Sequence, residues 1–148
     1  MTTQTIGTRT SLAFSGAALS TLASGTYVQN TTAYPCNTNK PQDVIVEVNA
    51  TTTNTPSGNK KLDVFIVESL DGTNFRSGPT SGTTTTREQN LRRLGSVLVS
   101  TASTAEMATF SVMSALGYVP YAFYIVVKND LGVALTAGTV FTAEVTYA

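Results

Sequence analysis

Apolar and polar residues along this chain alternate with the period of two that marks a β-strand, and no long segment repeats at the 3.6 of a helix. The clearest stretch is Gln42–Ala50: Val44, Val46 and Val48 share one face, and Asp43, Glu47 and Asn49 share the other. Lys61–Leu70 predicts a second strand, with Leu62, Val64 and Ile66 on one side and Phe65 and Val67 on the other. Apolarity on both sides calls for cover on both faces, from a second sheet and from a neighbouring subunit. Tyr121–Asn129 is almost continuously apolar. Its Phe123, Ile125 and Val127 alternate with Tyr124 and Val126, which predicts a central, deeply buried strand. Thr139–Tyr147 predicts the closing strand, with Phe141, Ala143, Val145 and Tyr147 inward and Thr142, Glu144 and Thr146 outward.

Weaker strands are expected at Ser11–Phe14, Thr26–Asn30, Leu91–Ser100 and Met107–Met113, the last with Ala108, Phe110 and Val112 on one face. Ala17–Ala23 fits one helical turn or an irregular edge. Turn residues punctuate the rest: Ser24-Gly25, Tyr34-Pro35-Cys36-Asn37, Asn129-Asp130-Leu131-Gly132, and Asp71-Gly72, where a hairpin or bulged turn is expected. Ser77–Gln89 is a long Gly/Thr loop. Seven or eight short strands at regular spacing, without a repeat, predict an all-β, single-domain antiparallel sandwich of jelly-roll-like type. It spans residues 11–148, behind a polar arm at residues 1–10 that is extended or disordered until bound.

Composition sharpens this picture. The length of 148 residues suits one domain with a core of its own. Thr, which favours strands, leads the polar residues, and Ser, Asn and Gly supply the turns. Only 12% of residues are charged, and nine basic residues balance nine acidic ones, which argues against a polyanionic partner such as nucleic acid. Arg87, Arg92 and Arg93 form the one local basic group. A low-charge, Thr-rich surface suits a protein packed in an assembly. Cys36 is the single cysteine, so no intrachain disulfide exists, and it reads as a small buried hydrophobe. Met1–Thr10 has no apolar signal core, and no apolar run reaches membrane-spanning length. The expectation is a protein made and kept in a cytoplasm, or assembled there into something larger.

Catalytic chemistry has little to stand on. With no histidine there is no Ser-His-Asp or Cys-His pair, and one cysteine cannot complete a zinc shell. Phosphate-binding glycine loops are absent. Asp43 with Glu47, Asp63, Glu68 and Glu144 are the carboxylates that glycoside hydrolysis would need, and their plainer reading is solvent-facing strand positions. Asp71-Gly72-Thr73-Asn74 lacks the later acidic residues of a calcium loop. Tyr118, Tyr121, Tyr124 and Tyr147 could stack a sugar, against a plainer reading as core edge and subunit contact. The chain is therefore read as no enzyme, with no cofactor, no metal and no small-molecule substrate.

Several segments, in order, resemble a known group. Leu22-Ala23-Ser24-Gly25-Thr26-Tyr27 fits its opening. Phe65-Ile66-Val67-Glu68-Ser69-Leu70-Asp71-Gly72-Thr73-Asn74-Phe75 resembles its strand and Ser-Leu-Asp-Gly-Thr-Asn-aromatic turn. Asn90-Leu91-Arg92-Arg93-Leu94-Gly95-Ser96-Val97 resembles the strand that follows. Val119-Pro120, with Tyr124-Ile125-Val126-Val127-Lys128-Asn129 through Leu135, resembles a late strand and turn. The order is similar to that of small virion structural proteins of tailed bacteriophages, some of which are capsid decoration or cement proteins.

That resemblance implies a virion role more than a place on the virion; the expected place is the outer capsid surface, which a neutral net charge suits because an inner-face protein would meet DNA, with assembly in the host cytoplasm. It implies binding to the major capsid protein, and to itself as a trimer or dimer, with no nucleic acid and no membrane as partner. Candidate contact residues are Thr2, Thr3, Gln4, Thr5 and Ile6 in the arm, with Arg76, Arg87, Arg92, Tyr121 and Tyr124. A neck, tail or baseplate role is the alternative within the virion, and a carbohydrate-binding β-sandwich module is the alternative outside it.

Overall fold

Val, Ile, Thr and aromatic residues fill the long strands, where branched side chains pack well on a pleated surface. The computed structural model describes residues 3–15, 18–76 and 87–147. Among these, the strands are β1 (Gln4–Ile6), β2 (Thr10–Ser11), β3 (Tyr27–Gln29), β4 (Tyr34–Pro35), β5 (Asp43–Thr51), β6 (Lys61–Ser69), β7 (Arg92–Leu98), β8 (Glu106–Ser111), β9 (Ala122–Asn129) and β10 (Ala137–Tyr147). They form two antiparallel sheets, and the fold is an all-β sandwich. The first sheet runs β1-β10-β5-β8, with β2 also on β10. The second runs β3-β9-β6-β7, with β4 also on β9. In each sheet one long strand, β10 or β9, carries two short pieces along its outer side, which covers that edge, and β8 and β7 form the opposite edges.

The core lies between the sheets. Val44, Val46 and Val48 from β5 meet Leu62, Val64 and Ile66 from β6 and Phe123, Ile125 and Val127 from β9. All nine are fully enclosed, at roughly 1.5–3 kcal/mol of burial each. Cys36 is buried among them as expected. Buried Asn129 ties the loops to this core. Its side-chain amide donates to the carbonyls of Leu22 and Val133, and its oxygen accepts from the Leu131 N–H.

The ten strands exceed the expected seven or eight because β1, β2 and β4 have only two or three residues each, too few to alternate visibly. The expected strand at Met107–Met113 ends at Ser111, and α1 (Val112–Leu116) follows it. Ser111 caps this single turn by accepting from the Ser114 N–H, and Gly117 closes it at φ 81°. Five residues are too short to show a helical period, but Val112 still reaches the core.

The expected facing of β10 is reversed. Val140, Thr142 and Glu144 lie opposite Val48, Val46 and Val44, so they face inward. Phe141, Ala143 and Val145 lie opposite Glu47, Ile45 and Asp43, on the outer face. Thr142 looks polar in sequence, yet it is buried, with its hydroxyl 3.4 Å from the Thr10 carbonyl. Glu144 reaches the end of the sandwich, where it accepts from the Tyr34 hydroxyl and the Asn39 amide.

The N-terminal arm is not free over its described length. It runs antiparallel along β10, pairing Gln4 with Tyr147, Ile6 with Val145 and Thr10 with Thr142. The Gly7 N–H continues the ladder by donating to the Glu144 carbonyl.

Candidate functional site

Asp71 organises one end of the sandwich. Its carboxylate accepts from the N–H groups of Thr73 and Asn74, the Asn74 amide and the Ser69 hydroxyl. The backbone and side chain of Asn74, then Thr73 and Ser69, hold the acid far below the usual carboxylate range. The turn is therefore a pre-set Asx-type turn, not a tight hairpin, because β7 begins only at Arg92. Gly72 at φ 78° lies against the Tyr121 ring; a Cβ there would come within 2.7 Å of it.

Beside this turn is a hollow of about 400 Å³, lined in part by Glu68, Asp71, Asn74, Arg76 and Tyr118. Glu68 lies opposite Phe123 on the inner face of β6 and is 4% exposed. Arg76 Nε is 2.6 Å from its Oε1, and Arg92 Nε is 3.9 Å away. Both carboxylate oxygens are buried and accept no hydrogen bond from the described residues, so the arginines compensate the charge without an aligned N–H.

The outer face of the second sheet is covered by the chain itself. Tyr27, Phe65, Val67 and Val126 form a cluster on which Phe75, Leu91 and Tyr124 pack. Phe75 and Tyr124 meet ring to ring at 4.8 Å. A short 3-10 helix, Arg87–Asn90, brings Glu88 onto the same face. There Glu88 accepts from Lys128 Nζ at 2.8 Å and from the Tyr27 hydroxyl at 2.6 Å, and these two bonds lower its pKa. Nearby Asp63 is gripped by Ser96, Lys61 and Arg93. Burial alone would raise its pKa, and these three partners outweigh burial and lower it.

The cover expected from a neighbouring subunit over Phe65 and Val67 thus comes from the segments on either side of the β6–β7 connection. The apolar faces of Lys61–Leu70 and Tyr121–Asn129 are not left over for partners.

Of the predicted contact residues, Thr2 lies outside the described residues, as do the side chain of Arg87 and residues 77–86 of the long loop. Thr3 is exposed, and Gln4, Thr5 and Ile6 form the exposed edge strand β1. Arg76 and Arg92 converge on Glu68. Tyr121 is partly exposed at the Asp71 turn, and Tyr124 is packed against Phe75 on the second sheet.

Arg92 and Arg93 do not make a basic patch. A bulge between Val64 and Phe65 sets Arg92 opposite Ile66 and Arg93 opposite Phe65, on opposite faces, each near a carboxylate. The candidate carboxylates are likewise dispersed. Asp43 and Glu47 face outward on the first sheet, Asp63 outward on the second, and Glu68 and Glu144 inward. Asp63 and Glu68 are buried rather than solvent-facing, held there by their basic partners. Among the described residues, no three acidic or thiol side chains are placed to hold a metal ion. The tyrosines form no single row: Tyr124 is on the second sheet, Tyr121 at the turn, and Tyr147 on the first sheet.

What sequence reasoning missed is the outer face of the first sheet. Arg9 crosses it, with its guanidinium 3.6 Å from the centre of the Phe141 ring and 2.6 Å from Glu47. Ile6, Ile45, Phe141 and Ala143 line a hollow of about 210 Å³ around it. The available signal was Ile45, an apolar residue between Asp43 and Glu47 on the polar side of β5. No protein-family model matches this chain, and no curated protein matches it.

Proposed function

We propose that this protein is a virion structural component that works by shape and adhesion, as a capsid decoration protein of a tailed phage. It binds the outer head surface and stabilises contacts between major capsid protein subunits. The observation that carries this reading is the first sheet's outer face. It is exposed and partly apolar, its carboxylates are already bonded within the chain, Glu47 to Arg9 and Asp43 to Ser111 and backbone N–H groups, and a short strand is laid along its edge. Such a surface adheres by burial without stranding a charge. The ordered resemblance to tailed-phage virion proteins supplies the setting.

A contact of standard size, ~1,600 Å² in total, repeated over a rigid lattice makes modest local affinity effective. The charge balance suits the outer side of the shell, away from packaged DNA. A neck, tail or baseplate position would use the same surface with fewer copies. The scattered tyrosines weigh against a carbohydrate-binding module, which needs aligned aromatic rings.

The test is addition of purified protein to heads that lack it. Saturable binding that raises the temperature of DNA release supports the reading, and absence of binding contradicts it.

A further inference from the structure

We infer that the outer face of the first sheet is the surface through which two copies of this chain associate, face to face across a two-fold axis. The two sheets of the sandwich are unequally finished. The second carries Phe75, Leu91 and the 3-10 helix over its outer apolar residues. Over the first, the described chain lays only the arm along the β10 edge, with Arg9 reaching Phe141. Met107 is left 61% exposed, Ile6 66% and Tyr147 54%, around the half-buried Ile45, Phe141 and Ala143.

Three features fit a second copy as the occupant. The first is charge. Among the described residues the charged side chains of this face are Asp43, Glu47 and Arg9. Asp43 accepts from Ser111 and from the N–H groups of Val44 and Met113. Glu47 is paired with Arg9 and accepts from Asn49. Two carboxylates and one guanidinium leave this face with a charge of only −1, and both carboxylates are already held within the chain, so it meets its own image with little like-charge repulsion.

The second feature is area. The strands of this sheet, of three, two, nine, six and eleven residues, at ~4.8 Å spacing and ~3.4 Å per residue offer roughly 500 Å². Two copies together bury roughly 1,000 Å², the least that a specific interface needs.

The third feature is the layout of the apolar side chains. Met107 is opposite Asn49, which is opposite Thr139, at one corner of the face. Ile6 is opposite Val145, and Tyr147 opposite Gln4, at the diagonally opposite corner. A two-fold axis along the other diagonal sets Met107 of one copy against Ile6 and Tyr147 of the second, and the reverse, as an isologous contact requires. The hollow beside Phe141 lies between them.

Self-association and head binding use the same face, so the dimer is the form of the free protein and opens when a copy attaches to the shell; the test separates the two. Sedimentation velocity on the full chain at about 100 μM is expected to give twice the monomer mass of 15.5 kDa. Met107→Lys and Tyr147→Lys, both at mostly exposed positions, are each expected to weaken the dimer at least about 30-fold, with the melting temperature unchanged at dilutions where the wild type is itself monomeric. Leu70→Lys, at a residue 74% exposed on the Asp71 turn, leaves the dimer intact. A wild-type monomer at that concentration overturns the inference, as does a dimer that ignores both lysines or dissociates equally with the Leu70 control. A monomer that still binds heads overturns the dimer alone.

Discussion

Arg9 and Phe141 are stacked: the guanidinium carbon lies 3.6 Å from the ring centre, and a guanidinium nitrogen of the same group is 2.6 Å from a Glu47 carboxylate oxygen. This contact accounts for an outward-facing aromatic on the closing strand. Phe141 gains cover from the arm, and the arm is fastened across the sheet by a side chain that satisfies Phe141 and Glu47 together. Because the Arg9 side chain is 53% exposed, the gain is modest. Arg9→Ala is expected to lower stability by about 1 kcal/mol or less, read by denaturant unfolding. The same variant should raise amide exchange across Gln4–Ile6, whose strand it helps hold.

Gly25 and Gly132 separate backbone strain from steric overlap. Both have a φ near 80°. Nothing lies within 4 Å of a Cβ built on Gly25, whereas one on Gly132 would sit 2.5 Å from the Gly58 nitrogen. Gly25→Ala is expected to cost about 1–2 kcal/mol for the left-handed conformation alone. Gly132→Ala adds a backbone clash and is expected to cost about 3 kcal/mol or more. Equal unfolding midpoints for the two variants would contradict the close approach of the 58 and 132 loops.

Tyr124 is packed by its own chain, so its loss should register in the isolated protein. Tyr124→Ala removes the ring that meets Phe75 and is expected to cost about 2–3 kcal/mol in thermal or denaturant unfolding, with the sandwich retained. An unchanged stability would return Tyr124 to the role of a subunit contact.

Two limbs of acid and alkaline loss should bracket a flat region. The chain has no histidine, so no side chain of ordinary pKa titrates between about pH 5.5 and 8. Asp63 and Glu88 have folded pKa values below those of the unfolded chain. Their contribution is present above about pH 4 and is lost as pH falls through the folded values. On the alkaline side, burial and then the Glu144 charge push Cys36 up to about 12, and burial followed by Glu144 does the same to Tyr34. Their contribution is full below the unfolded values near 8.5 and 10, and it is lost as pH rises toward about 12. The melting temperature should thus hold level from about pH 5.5 to 8 and fall on either side. Cys36→Ala should delay the alkaline fall, and Asp63→Asn should flatten the acid one.

The long strands were legible because burial imposes strict alternation, as at Val44, Val46 and Val48 or Phe123, Ile125 and Val127. So was the buried state of Cys36. Three things were not. The facing of β10 misled because Thr142 is small enough to bury its hydroxyl and Phe141 finds its cover only through Arg9, far away in sequence. Helix α1 and the short strands β1, β2 and β4 are set by pairing and capping rather than by periodicity. The self-cover of the second sheet depends on Phe75 and Glu88, which read as turn and loop residues, and on Leu91, which reads as the start of a strand, until the fold brings them over Tyr27 and Phe65. Of the candidate contacts, Arg76 and Arg92 share the buried partner Glu68, which could not be found without the strand register.

The central claim is that this polypeptide is a structural part of a phage particle and acts through repeated adhesion. Quantitative peptide mass spectrometry of purified virions tests it most directly, by measuring copies of this chain against the major capsid protein. The account predicts a stoichiometry in the range of the shell's own lattice, retained after high-salt washing because the contact is not held by net charge. Absence of the chain from purified particles, with the protein found only free in the lysate, would contradict it.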